Sequence, residues 1–168
     1  MADLTADRLV GAWQLQRWET VREVAGQGRT ASLPFGAGAM GLLLYTADGW
    51  MSATIMAEGR RPLSRANPRS APAAERAAAF DAYFSYAGRW SVEGSRVRHE
   101  VMVALNPAMV GTLQVREARL VGRTLTLSAE EATEDGLRRH RLVWKRPLRR
   151  AASRGTTRSK AGRRSTAR

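Results

Sequence analysis

Cysteine is absent from this chain of 168 residues, which excludes disulfides, thiolate metal sites and a cysteine nucleophile. Long hydrophobic runs are absent too, since no stretch approaches the roughly 20 apolar residues that span a bilayer. The first seven residues are polar and acidic, unlike the basic and apolar segments of a signal peptide. These absences predict a cytoplasmic protein without a membrane partner, whose single domain is stabilised by packing.

Acidic residues are missing from the C-terminal end of the chain. All 15 Asp and Glu residues lie before position 136, whereas ten of the 28 Lys and Arg residues lie from Lys145 onward, so the net charge of +13 belongs mainly to the end of the chain. Residues 147–168 contain one Leu and no aromatic residue, too little apolar surface to fold. We predict a folded domain over residues 1–146 and a disordered basic tail over residues 147–168, which would contact polyanions weakly and without sequence preference.

Short apolar segments separated by turn residues predict an antiparallel β-sheet. The first strand begins near Trp13, and Asp48-Gly49 predicts a tight turn that joins the next two strands into a hairpin. Five further strands are predicted over residues 89–92, 97–105, 111–121, 124–129 and 137–146. We therefore expect a mainly β fold, a closed antiparallel up-and-down barrel of about eight strands, which is just wide enough to hold a small ligand.

One helix is predicted over about residues 72–87. Pro72 suits a first helical turn, the following alanine-rich stretch favours a helix, and Gly88 fits a C-terminal cap. One stripe of this helix would pack against the barrel, and it consists of Ala77, Phe80, Phe84 and Ala87. The glycines and prolines between residues 26 and 38 predict a long loop.

The hairpin supplies the first candidate cavity lining. Pairing outward from the turn sets Leu44 opposite Ala53 and Leu42 opposite Ile55. Because side chains alternate along a strand, this register places five apolar residues on one face, which we interpret as core or cavity lining: Leu42, Leu44, Met51, Ala53 and Ile55. Val101 and Val103 share a strand face with His99 and extend the predicted lining.

Two histidines and one arginine are the candidates for chemistry. If His99 and His140 both face the cavity, their imidazoles can act as acid and base on a bound ligand; otherwise His99 is a buried, hydrogen-bonded side chain and His140 lies near the rim. Arg116, with Gln114, either points inward and holds a ligand carboxylate or phenolate, or belongs to the solvated outer face. No three metal ligands converge, and no cofactor-binding motif is present, so neither a metal nor a cofactor is expected.

Several elements together carry a family resemblance. In order they are Leu9-Val10-Gly11-Ala12-Trp13-Gln14-Leu15, the stretch from Pro34-Phe35-Gly36 to Gly49-Trp50-Met51-Ser52, Ala87-Gly88-Arg89-Trp90, Val97-Arg98-His99-Glu100-Val101, Asn106-Pro107 with Gly111-Thr112, and Leu125-Thr126-Leu127-Ser128. Over about residues 7–146 the chain resembles the bacterial lipocalin-like domain family, a branch of the calycin group. The resemblance implies a barrel with a small-molecule cavity, in which Trp13 closes the floor and a basic residue of the last strand, first Arg146 and otherwise Lys145, packs over the indole.

The function that follows is the binding of a small hydrophobic molecule in the barrel cavity. No catalytic motif stands out, which favours a binding protein over an enzyme. One alternative is an isomerase or cyclase that acts on a hydrophobic metabolite with His99 as acid or base. A second alternative is weak polyanion binding through the basic tail.

Overall fold

The computed structural model describes residues 4–24, 28–133 and 136–148. Their helices are α1 (Ala6–Leu9) and α2 (Ala73–Asp81), with 3-10 turns at Pro68–Ser70 and Pro107–Met109. Their strands are β1 (Gly11–Val24), β2 (Gly28–Ser32), β3 (Met40–Tyr45), β4 (Trp50–Met56), β5 (Tyr83–Glu93), β6 (Arg96–Ala104), β7 (Leu113–Val121), β8 (Thr124–Thr133) and β9 (Gly136–Lys145). No helix in the described ranges has the length and apolar character needed to cross a lipid bilayer. From residue 149 onward the predicted basic tail lies outside the described residues.

A closed barrel forms because the last strand returns to the first. The strands β1 and β3 to β9 pair antiparallel in sequence order, and β9 pairs with β1, which completes an eight-stranded ring. The prediction of a mainly β, closed eight-stranded barrel is confirmed. The ninth strand, β2, pairs with β1 between Thr20 and Val24 and extends the sheet outside the ring. The sequence predicted a loop there because β2 is exposed along its length and has no apolar alternation.

The predicted helix over residues 72–87 is too long. Helix α2 ends at Asp81, and β5 begins at Tyr83, so Phe84 and Ala87 pair with β4 rather than facing the barrel from a helix. Helix propensity is a weak preference of a few tenths of a kcal/mol per residue, and the strand pairing with β4 overrides it.

The predicted register of the β3–β4 hairpin is wrong by one residue. Leu44 pairs with Ser52 and Leu42 with Thr54, because the turn contains three residues, with Thr46 N donating to Trp50 O at 2.9 Å. A one-residue shift exchanges the two faces of a strand. Leu42 and Leu44 therefore lie on the outer surface, 54% and 44% exposed, while Leu43 and Tyr45 are buried in the barrel.

A bulge in β1 redirects its second half. Pairing with β9 shifts between Leu15 and Arg17. Trp13 and Leu15 face the core before the shift, whereas after it Trp18 lines the cavity and Thr20 is buried. The bulge allows one long strand to close the floor of the barrel with its first half and to line the cavity with its second.

Candidate functional site

The barrel contains an internal cavity of about 450 Å³. Its wall combines apolar residues from β1, β3, β4, β5, β8 and β9: Trp18, Leu43, Ala53, Ile55, Phe84, Leu127, Ala129, Leu142 and Trp144. A volume of this size and an apolar wall are typical of pockets for small organic molecules, whose volumes are roughly 300–1,000 Å³.

The structure brings some of the predicted lining residues to this wall and leaves others away from it. Ala53, Ile55, Arg116 and His140 line the cavity. Met51 and Val101 are buried in the core without lining the cavity. Leu42 and Leu44 are on the outer surface because of the one-residue change in the hairpin register.

Val103 also lies on the outer surface, 61% exposed, where we expected it to line the interior. The strand β6 has a bulge: Val101 pairs with Gly88 and Val103 with the neighbouring Ala87, so Met102 is an extra residue between them. The extra residue reverses the alternation, and Val103 no longer shares a face with Val101.

Sequence reasoning missed several residues of the wall. Phe84 and Tyr86 were hidden in the segment predicted as helix, and Leu43 was lost with the hairpin register. Trp18 was not among the predicted lining residues, and because it follows the bulge in β1 it does not continue the alternation of Trp13 and Leu15. The heptapeptide from Tyr83 to Arg89 contains three aromatic residues, two of which, Phe84 and Tyr86, are two positions apart. Such enrichment in aromatic residues was the available signal for a strand.

His99 is held between two tyrosines inside the barrel. Its Nε2 lies 2.8 Å from the Tyr45 hydroxyl and its Nδ1 lies 2.8 Å from the Tyr86 hydroxyl. All three side chains are buried. A neutral imidazole has one N–H and one lone pair, so one tyrosine accepts a hydrogen bond from the ring and the other donates one.

Burial, with a smaller effect of the Arg116 charge, lowers the pKa of His99 from 6.5 to about 3. Burial likewise raises the pKa of Tyr45 and of Tyr86. All three groups are therefore neutral near pH 7. Of the three, Tyr86 is the one that also lines the cavity.

Polar groups of β7 form one side of the wall. Arg116 Nη2 donates to Gln114 Oε1 at 3.1 Å, and Arg116 Nη1 donates to the Val115 carbonyl at 3.0 Å. Gln114 Nε2 in turn donates to Thr112 Oγ1 at 2.9 Å. Both Arg116 and Gln114 line the cavity, whereas the next residue, Glu117, is on the outer surface.

His140 lies where the cavity wall meets exposed acidic residues. Its Nε2 is 3.1 Å from Glu131 Oε2, and its Nδ1 accepts a hydrogen bond from Trp18 Nε1 at 3.4 Å. The indole of Trp18 also packs against Phe84, with ring centroids 5.7 Å apart, and against Phe35 at 4.9 Å. Aromatic rings and a His–Glu pair thus form this end of the wall.

The opposite end of the barrel is closed by Trp13. Its indole is fully buried and its Nε1 donates to the Leu9 carbonyl at 2.8 Å. The Arg146 guanidinium lies over the ring, with Cζ 4.3 Å from the centroid, and donates to the carbonyls of Val10 and Arg8 at 2.9 and 2.7 Å. The predicted contact between Trp13 and a basic residue of the last strand is present, and Arg146 provides it.

The match to a family model agrees with this geometry. The model of the lipocalin-like domain matches residues 10–147, which run from just before Trp13 to just after Arg146. The chain belongs to the lipocalin-like domain family. The matched residues of this lipocalin-like barrel include both strands that close the ring and the Trp13–Arg146 contact at its floor. A comparison with curated proteins gave no match.

Two further features of the lipocalin-like barrel concern metal ligands and an unpaired donor in the cavity wall. Within the residues that the structure describes, no three His, Asp or Glu side chains come together as metal ligands would. The indole Nε1 of Trp144, in the cavity wall, is buried and has no hydrogen-bond partner among the described residues. A polar guest with an acceptor atom would satisfy such a donor.

The stability of the lipocalin-like barrel is expected to fall below pH 6.5 because of His99. In the unfolded chain this imidazole protonates near pH 6.5, whereas in the folded chain it stays neutral down to about pH 3. Between these values the unfolded state binds more protons, so the free energy of unfolding decreases as the pH falls. The contribution of His99 between pH 6.5 and 4.5 is about 2 kcal/mol.

Urea unfolding at several pH values, followed by tryptophan fluorescence, measures this loss. The matched variant is His99→Gln, whose amide offers one donor group and one acceptor to the two tyrosines without titrating. Every other titratable group is common to both chains, so the difference between their stabilities isolates His99. Parallel stability curves for the two chains from pH 6.5 to 4.5 would contradict the assignment of a buried neutral imidazole.

Proposed function

We propose that this lipocalin-like barrel binds a small, largely apolar organic molecule in its interior cavity. The observation that carries the proposal is the 450 Å³ cavity whose wall includes Trp18, Phe84, Trp144 and aliphatic side chains of four strands. Each Å² of apolar surface that a guest buries there is worth roughly 25 cal/mol. Binding, rather than a stated reaction, is the role that this wall supports.

The geometry around His99 bears on the alternative of an isomerase or cyclase. Both ring nitrogens are engaged by Tyr45 and Tyr86, and His99 does not line the cavity. Any proton exchanged between His99 and a guest would have to pass through the Tyr86 hydroxyl or follow the loss of one of these hydrogen bonds. The arrangement therefore favours a structural role for His99 over direct acid–base catalysis.

Two predictions made from the sequence remain proposals. Polyanion contact through the basic tail concerns residues 147–168, which lie almost entirely outside the described ranges. The cytoplasmic location is likewise a proposal, and it has no bearing on the cavity.

A cavity-filling variant tests the proposed function. Ala53 is buried and lines the cavity, so Ala53→Trp is expected to place a bulky ring in the guest's space and to weaken binding of the neutral fluorescent probe N-phenyl-1-naphthylamine at least tenfold. The neighbouring Ser52 is on the opposite face of β4, and Ser52→Trp is the matched control, expected to leave probe binding within about twofold. Fluorescence titration of the three chains measures the dissociation constants.

Folding of each variant is checked by near-ultraviolet circular dichroism and by thermal unfolding. If Ala53→Trp does not fold, Ala53→Leu replaces it, since it removes less of the cavity volume. A folded Ala53 variant that binds the probe as tightly as the natural chain would contradict the proposal. So would a natural chain that binds neither this probe nor its sulfonate analogue, 1-anilinonaphthalene-8-sulfonate.

A further inference from the structure

Arg116 is a cation in an otherwise largely apolar wall. It projects from β7 into the cavity, where its guanidinium donates to the Gln114 side chain and to the Val115 carbonyl. Both partners are neutral. A guanidinium has five N–H donors, so these two contacts leave donors for a third group.

Nearby carboxylates are engaged elsewhere. Glu117 is on the outer surface, where its Oε1 accepts from Arg96 at 2.5 Å. Glu130 and Glu131 also line the cavity, where Glu130 pairs with Arg139 at 2.7 Å and Glu131 pairs with His140 at 3.1 Å. Among the described residues, no Asp or Glu forms an ion pair with Arg116.

The groups packed around Arg116 do not neutralise its charge. The Tyr86 hydroxyl lies in the cavity wall and is hydrogen-bonded to His99, which is in turn hydrogen-bonded to Tyr45. The Arg116 charge itself lowers the pKa of His99 and thereby helps to keep the imidazole neutral. A partly buried cation without a counter-ion is costly, and an anion bound beside it would lower that cost.

We infer that the guest of this cavity is a monoanion, with a carboxylate, enolate or phenolate oxygen bound by Arg116 and an apolar body against the aromatic and aliphatic wall. This inference rests on the proposed function and specifies its ligand class. Gln114 and Tyr86 are the neighbouring polar groups that would orient the charged end. Charge-assisted hydrogen bonds from a guanidinium are shorter and stronger than those between neutral groups, so the anion is the group that sets the guest's orientation.

A pair of probes that differ by one anionic group tests the inference. N-phenyl-1-naphthylamine is neutral, and 1-anilinonaphthalene-8-sulfonate has the same aromatic skeleton with a sulfonate. Arg116→Met is expected to weaken binding of the anionic probe at least tenfold and to change binding of the neutral probe by less than threefold. Titrations of both probes by fluorescence, at one fixed salt concentration, provide the four dissociation constants.

Arg119→Met is the matched control. Arg119 is an exposed arginine on the same strand, pairs with Thr126 of β8 and does not line the cavity. This variant removes the same charge from the protein, so it reports any long-range effect of net charge. We expect it to change binding of either probe by less than twofold. Ala53→Trp completes the set, because loss of the anionic probe in that variant places the probe inside the barrel.

The outcomes separate this inference from the proposed function. If the natural chain binds neither probe, the proposed function fails. If the neutral probe binds in the cavity but the anionic probe binds Arg116→Met as tightly as the natural chain, the inference alone is overturned. The inference is also overturned if Arg116→Met and Arg119→Met weaken binding of the anionic probe equally. It is overturned likewise if Arg116→Met weakens binding of both probes equally, since neither pattern is recognition of an anion by Arg116.

Discussion

Replacing Gly88 with Ala is expected to lower the free energy of unfolding by at least about 4 kcal/mol, beyond the usual range for a single substitution. A Cβ at this position would overlap the Glu100 carbonyl oxygen and would lie 3.0 Å from Met102 N. These are backbone atoms of β6, at the bulge where Gly88 pairs with Val101. Because both strands are fixed by their pairing on either side, neither backbone can withdraw without breaking the ring.

Urea unfolding followed by tryptophan fluorescence measures the loss, and the far-ultraviolet spectrum without denaturant records it if the variant no longer folds. Gly94→Asn is the control, in the turn after β5, where a new Cβ meets no atom within 4 Å and the φ of +60° is one that Asn tolerates. It is expected to cost about 1 kcal/mol or less. A Gly88→Ala chain as stable as Gly94→Asn would show that the two strands are not this close.

Gly88 also illustrates what the sequence could predict. A glycine was required at this position, but the reason inferred for it, a helix cap, was wrong. Composition around residue 80 favours a helix, and only the pairing of β5 with β4 and β6 shows that the segment is extended. Where strands have clear alternation and turns at both ends, as in β6 and β7, the predicted bounds agree with the structure within about two residues.

The cavity wall depended on details that local signals do not determine. Asp48-Gly49 correctly predicted a hairpin, yet a three-residue turn in place of a two-residue turn exchanged the faces of β3 and removed Leu42 and Leu44 from the interior. The bulge in β6 likewise moved Val103 from the interior to the outer surface. Bulges and turn lengths change a strand's parity without changing its composition, so the sequence predicted the barrel better than it predicted the residues lining it.

His99 also shows which features the sequence predicts and which require the structure. Its apolar neighbours on β6 correctly placed it inside, because alternation along an uninterrupted stretch of strand is a local property. Its partners were not predictable, since Tyr45 is 54 residues away in the chain and Tyr86 lay in a segment predicted as helix. The pKa of a buried group depends on such partners and on burial, which is why its protonation state required the structure.

Replacing Trp13 with Ala is expected to cost about 4 kcal/mol of unfolding free energy, the middle of the range for a buried aromatic residue. The indole is fully buried at the floor, and its Nε1–H donates to the Leu9 carbonyl. Its loss leaves a cavity beside Leu43, with which Trp13 pairs across β1 and β3, and removes the ring beneath Arg146. Urea unfolding of the variant and the natural chain measures the difference.

The Arg146 guanidinium is expected to contribute to stability through that ring, and a double-mutant cycle isolates the contribution. Arg146→Met should cost about 1–2 kcal/mol in the natural chain and less in the Trp13→Ala chain, with a coupling energy of about 0.5–2 kcal/mol. The residual cost reflects the hydrogen bonds to Val10 and Arg8, which do not need the indole. Lys145→Met is the control, because Lys145 is exposed and its substitution removes the same charge one residue away. This variant should change the free energy of unfolding by less than about 0.5 kcal/mol. If Arg146→Met costs the same with and without the indole, the two side chains close the barrel floor independently of each other.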